Sequence, residues 1–206
     1  DWGDYGHVNH PDFGIPGRIY GAAFSWNGKI PDFEEMNRRI SIVEFQDRSG
    51  ELVSVLAEIA DSQIFDWGQA VYYKEKGVDA RAQREFTTVA AGMADVEEAL
   101  RKLADIGDRI RRMMPGLPAR TNAILHACLV AIQGAELFQK IGAVIVARVS
   151  QSEPAVAVDG IKLAAELEEW FMFYKEVWRS VSRESELYRI EEVVFWYADL
   201  LRGSAL

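Results

Sequence analysis

The stretch Thr121-Asn122-Ala123-Ile124-Leu125-His126-Ala127-Cys128-Leu129-Val130-Ala131-Ile132-Gln133-Gly134-Ala135-Glu136-Leu137-Phe138 decides the fold. Leu125, Cys128, Leu129, Ile132, Ala135 and Phe138 recur at three- and four-residue spacing. That is the period of one helical face and not of a strand. The pattern continues to about Val149. Val144-Ile145-Val146 is β-branched but falls inside the same period, so it stays helical. Cys128, the single cysteine, lies in an apolar run and reads as a buried, inert thiol. One cysteine excludes an intramolecular disulfide and a cysteine-rich zinc site. His126 sits beside the stripe and reads as a satisfied structural histidine. The uncharged run 121–135 holds Asn122, His126 and Gln133. It falls short of the ~20 apolar residues of a membrane span, so no membrane partner is expected.

Stripes of the same kind flank this stretch. Phe33, Met36, Ile40 and Val43 form one, with Asp32 as cap and Glu35 at capping-box spacing. Leu52, Val55, Leu56 and Ile59 form another, with Ser49 as its expected cap. Residues 67–76 read as a short helix or irregular link stopped by Gly77, and Asp79 is placed to cap a further helix. Val96, Ala99, Leu103, Ile106, Ile110 and Met113 line the next, which stops at Pro115-Gly116. Beyond the long helix, Leu163, Leu167, Trp170, Tyr174, Val177 and Val181 line one helix. Leu187, Ile190, Val194, Tyr197 and Leu201 line the last, ending at Gly203. The expected architecture is all-α, a bundle of about six or seven helices.

Composition sets the bounds. Of 206 residues, 49% are hydrophobic and only 22 are glycine or proline, which excludes disordered and collagen-like chains. The net charge of -9 argues against a nucleic-acid partner, which needs a basic stripe. The first 31 residues hold six glycines and three prolines. This shift divides the chain into residues 1–28 and 29–206.

The front zone carries the densest chemistry: Asp1-Trp2-Gly3-Asp4-Tyr5-Gly6-His7-Val8-Asn9-His10-Pro11-Asp12. At the end of a strand, Trp2 and Asp4 point to one side. An indole beside a carboxylate suits a sugar, whose C–H face packs on the ring while its hydroxyls donate to the acid. The bland reading is a glycine-rich turn with a packed Trp and a capping Asp. His7 and His10 with Asp4 and Asp12 offer metal-ligand types, but Gly6 and Pro11 break the geometry a metal needs, and no metal or other cofactor is expected. Gly14-Ile15-Pro16-Gly17 lacks the Lys and the preceding strand of a phosphate loop. Ile15 to Asn27 opens with Pro16 near a helix N-terminus and carries Gly21-Ala22-Ala23, small enough for close packing on a sheet. A strand, a loop and a helix make one βα unit, which cannot bury its own faces.

Asp1-Trp2-Gly3-Asp4-Tyr5-Gly6-His7, Pro16-Gly17 and Tyr20-Gly21-Ala22-Ala23-Phe24-Ser25-Trp26-Asn27 resemble the end of the catalytic barrel in bacterial family 20 glycoside hydrolases, exo-acting β-N-acetylhexosaminidases. The stretch 178–202, with Ser185-Glu186-Leu187-Tyr188-Arg189-Ile190, is similar to the ending of such enzymes. The resemblance implies that residues 1–28 are the last strand, loop and helix of a (β/α)8 barrel, and that residues 29–206 are a C-terminal helical domain. It implies Trp2 as a wall of the terminal-sugar pocket and Asp4, where many members have Glu, as acceptor for outer hydroxyls. The implied partner is an N-acetylhexosamine-containing glycan. The implied reaction is retaining hydrolysis in which the substrate's acetamido group is the nucleophile. Its Asp-Glu pair belongs to the fourth strand. No Asp-Glu dipeptide occurs here, and Glu97-Glu98, Glu168-Glu169 and Glu191-Glu192 diverge by about 100° on helices. Such a barrel takes about 250 residues, so this chain alone is expected to be inactive and to hold no catalytic residue.

Two other readings stand beside this one. One is a free-standing helical interaction module with the front zone as an arm. The other is a small enzyme using Asp4, His7 and His10. The chain opens without Met and without a signal peptide ahead of the globular pattern. It reads as processed or truncated, with a cytoplasmic location as the expectation. Exposed barrel-facing residues make a homodimer a further expectation.

Overall fold

A computed structural model describes residues 10–28, 31–77, 82–184 and 187–203. Among them there are nine α-helices and no strand. These are α1 (Ile15–Trp26), α2 (Phe33–Val43), α3 (Leu52–Asp61), α4 (Trp67–Lys76), α5 (Ala82–Gly92), α6 (Val96–Met113), α7 (Ala119–Ser150), α8 (Gly160–Val181) and α9 (Leu187–Leu201). The all-α bundle is therefore as read from the periodicity. Eight of the nine, α2 to α9, fall in residues 29–206, where about six or seven were expected. Gly77, at φ 60°, ends 67–76 as a helix of its own, and a 3-10 turn at Met93–Asp95 separates α5 from α6. The expected strand before α1 and the Asp79 cap lie outside the described residues, and no strand among the described residues supports the expected barrel remnant.

Two apolar clusters share α7. Ile124, Leu125, Cys128, Ile132 and Ala135 pack with α2, α3 and α6 through Ile40, Leu52, Val55, Leu103, Ile106 and Ile110. Further along α7, Val130, Leu137, Phe138, Ile141 and Ile145 pack with α4, α5, α8 and α9 through Trp67, Val89, Leu167, Trp170, Val194 and Tyr197. This explains why α7 is apolar nearly all round: it has neighbours on several sides. It is also long and apolar enough to cross a membrane by length and composition, and 61% of its most apolar window is buried within the protein. His126 lies beside the stripe, as read, and is exposed. Cys128 is buried and free, and burial pushes its thiol pKa far up.

Polar side chains fix the joints. Asp32 caps α2 by accepting from Glu35 N at 3.1 Å, but Glu35 turns to Arg38 instead of closing a capping box. The complete box is at α4, where Asp66 and Gln69 each accept the other's backbone N–H at 2.8 Å. The main cap of α3 is Asp47, while the expected cap, Ser49, accepts only a longer bond from Glu51 N at 3.3 Å. The Asp47 carboxylate accepts from Glu51 N at 2.9 Å, Leu52 N at 3.0 Å and Ser49 Oγ at 2.7 Å. Gln139, wholly buried on α7, accepts from Ile64 N and Phe65 N and donates to Phe65 O and Ala135 O. One amide thus ties the α3–α4 link to the central helix.

α1 has two unlike faces. Ile15, Ile19 and Tyr20, with Phe13 just before, pack against the α2–α3 side of the molecule. The other face is open: no residue of α1 is buried and Trp26 is 89% exposed, while Phe24 meets Phe33 of α2 at 5.8 Å. A Cβ added at Gly17 or Gly21 would meet nothing within 4 Å.

Candidate functional site

Trp2, Asp4 and His7 lie outside the described residues. Of the front-zone constellation, His10 and Asp12 are described. His10 Nδ1 accepts from Asp12 N at 3.1 Å and so caps the 3-10 turn Pro11–Gly14. A ring nitrogen used as acceptor belongs to the neutral imidazole. Burial holds the His10 pKa below its ordinary value, against the raising pull of the Asp12 carboxylate. Among the described residues no group of three or more His, Cys, Asp or Glu side chains is placed to hold a metal. The paired acids serve surface ion pairs. Glu98 meets Arg101 at 3.0 Å, Glu168 holds Arg202 through two bonds of 2.7 Å, and Glu192 pairs with Lys74. None converges on a neighbouring carboxylate as general acid–base chemistry requires.

The structure instead brings together residues far apart in sequence. A cleft of about 650 Å³ runs between the front zone and the bundle. That volume is in the range of small-molecule sites. His10, Phe13, Tyr20, Phe33 and Asn37 line one side. Leu56, Ile59 and Gln63 come from α3 and the turn after it, and Asp66, Trp67 and Gly68 from the start of α4. Ala127, Ala131, Gly134 and Phe138 of α7 meet Trp170 and Tyr174 of α8 along the remainder.

The aromatic part is rigidly built. Trp67 meets Phe138 edge to face at 5.6 Å and 84°, and Phe138 meets Trp170 at 6.1 Å and 88°. Trp170 lies 5.2 Å from Tyr174. The Trp170 indole donates to Val130 O at 2.7 Å. That approach requires glycine at 134, because a Cβ there would fall 2.6 Å from the Trp170 ring. Trp67 differs: it is 7% exposed, and its Nε1–H is buried with no hydrogen-bond partner among the described residues. At the front, Tyr20 OH donates to Asn37 Oδ1. The periodicity had placed Trp170 and Tyr174 only as a core stripe, and nothing in the spacing marked Trp67 or Asn37 as neighbours of His10.

No family model, curated protein or solved structure matches the chain.

Proposed function

We propose that this chain is the C-terminal part of an exo-β-N-acetylhexosaminidase, with Trp2 and Asp4 as its share of the sugar pocket and the helical bundle as a structural domain. One observation carries the reading beyond the motif. α1 is finished on the side facing α2 and open on the other, with glycines at 17 and 21 that no neighbour in the chain requires. Small residues on that face would let the helix pack closely on a barrel strand, which has to bury its outer side against a helix. The catalytic Asp-Glu pair would then come from sequence ahead of Asp1, and the bundle's surface acids take no part. A helical interaction module is the second reading. It is favoured by Phe13, Ile15 and Ile19 packing on the bundle as an integral layer.

The test is to express the whole reading frame that contains this chain. It is assayed on 4-nitrophenyl N-acetyl-β-glucosaminide and on the galactosaminide. The expected result is hydrolysis by the whole product and none by the 206-residue chain. Trp2→Ala or Asp4→Ala in the whole product should lower kcat/KM by about 10- to 100-fold, the loss of one charge-assisted or stacking contact. A whole product without activity, or a 206-residue chain active in proportion to its concentration, overturns the proposal.

A further inference from the structure

The cleft has one wall that is held differently from the others. On its far side α3 and α7 belong to a buried cluster, in which Leu52, Val55, Leu125 and Cys128 are no more than 1% exposed. The near wall is the 3-10 turn and α1, which place His10, Phe13, Pro16 and Tyr20 in the lining. No residue from 10 to 28 is buried. This segment holds the bundle through Phe13, Ile15, Ile19 and Tyr20, all half-buried. Tyr20 OH also donates to Asn37 Oδ1. The Tyr20 and Phe24 rings lie 5.4 and 5.8 Å from that of Phe33, which is itself 53% exposed. Resistance to local opening follows from the apolar contact a segment buries and from its own helical strength. Both are small here. A helix of 12 residues is marginal by itself in water, and Gly17 and Gly21 weaken it further. In α7, by contrast, more than half of the 32 residues are buried.

We infer that residues 10–28 form a strap that lifts from the bundle and melts as one unit while α2 to α9 stay folded, so that the cleft opens along one side. The closed form is the major one. His10, Phe13, Pro16 and Tyr20 leave with the strap, and the cleft then lacks its near wall. Leu56 and Ile59 of α3 line the same cleft and are half-buried while it is closed. The strap therefore governs access to them. This device belongs to the 206-residue chain and does not depend on the hydrolase proposal.

The test is amide hydrogen exchange of the 206-residue chain, followed by NMR in a series of urea concentrations below the unfolding transition. Relative to an unfolded peptide, the amides of 19–26 should be protected about 10-fold or more, yet exchange roughly 100-fold or more faster than the buried amides of α7. Opening the strap exposes little surface, so their rates should rise only slightly with urea, while those of α7 rise steeply. Val194→Ala opens a hole in the other cluster, away from α1. It should speed α7 by about 10- to 100-fold and leave 19–26 unchanged, because strap opening does not break that cluster. Ile19→Ala should speed 19–26 by one common factor of about 10. The inference is overturned if 19–26 share the rate and urea slope of α7, or if Val194→Ala speeds both alike. Amides of 19–26 without protection, or unequal factors along α1 in Ile19→Ala, overturn it equally. Where a variant fails to fold, the urea series on the wild type decides alone. Exchange rates carry no information on glycoside hydrolysis, so the two proposals fail separately.

Discussion

Asp47 shows how much one side chain can hold. It is 4% exposed, and it satisfies two backbone donors at the start of α3 and the hydroxyl of Ser49. Burial opposes its ionisation, but the bonds from Ser49, Leu52 and Glu51 outweigh that and hold its pKa below the ordinary 3.8. Asp47→Ala should cost about 2–3 kcal/mol at neutral pH, measured by urea unfolding. The sign with pH follows from the depressed folded value. The contribution is complete above the unfolded pKa and is lost as the pH falls through the lower folded one. The gap between wild type and variant should therefore close in acid. A gap that persists after Asp47 has protonated would contradict the assignment. Gln139 makes the stronger case. Gln139→Leu keeps the volume but strands the amides of Ile64 and Phe65 and the carbonyl of Phe65. The expected loss is ~2–4 kcal/mol by the same assay, although the substitution raises hydrophobicity.

The helices show what periodicity reveals and where it stops. Leu103, Ile106 and Ile110 on α6, and Leu163, Leu167 and Trp170 on α8, are buried as their spacing required. Burial on one side of a helix repeats every turn, and the sequence carries that repeat. Ser49 is only the lesser cap, because Gln46 takes a left-handed turn, φ 55°, next to Asp47, whose carboxylate makes the shorter bonds at the start of α3. No local residue preference announces a positive φ at glutamine. The cleft was illegible for a different reason. Its walls come from positions 10 to 174, and only the packing of α1, α4 and α8 around α7 sets them opposite one another. α1 itself supplies an opposed pair of predictions. Gly21→Ala should stabilise the 206-residue chain by about 0.5–1 kcal/mol, since a methyl there meets nothing. In the whole reading frame the same change should destabilise, if that face is pressed against a barrel strand. Parallel thermal melts of the two proteins check both signs.

At the scale of the molecule, α7 is the wall that both apolar clusters share. Neither can lose it without exposing the other, so unfolding should be a single cooperative step. Tryptophan fluorescence follows Trp67 and Trp170 in one cluster, and labelling of Cys128 by a thiol reagent follows the other. The two transitions should coincide in denaturant, and separated midpoints would count against a shared spine. The same arrangement has a consequence for the order of synthesis. A ribosome delivers α1 through α6 first, and their apolar stripes emerge before the helix they close upon. α2, α3 and α6 can touch one another early, yet the side of their cluster that α7 covers stays open until the thirty-two residues of α7 have left the exit tunnel.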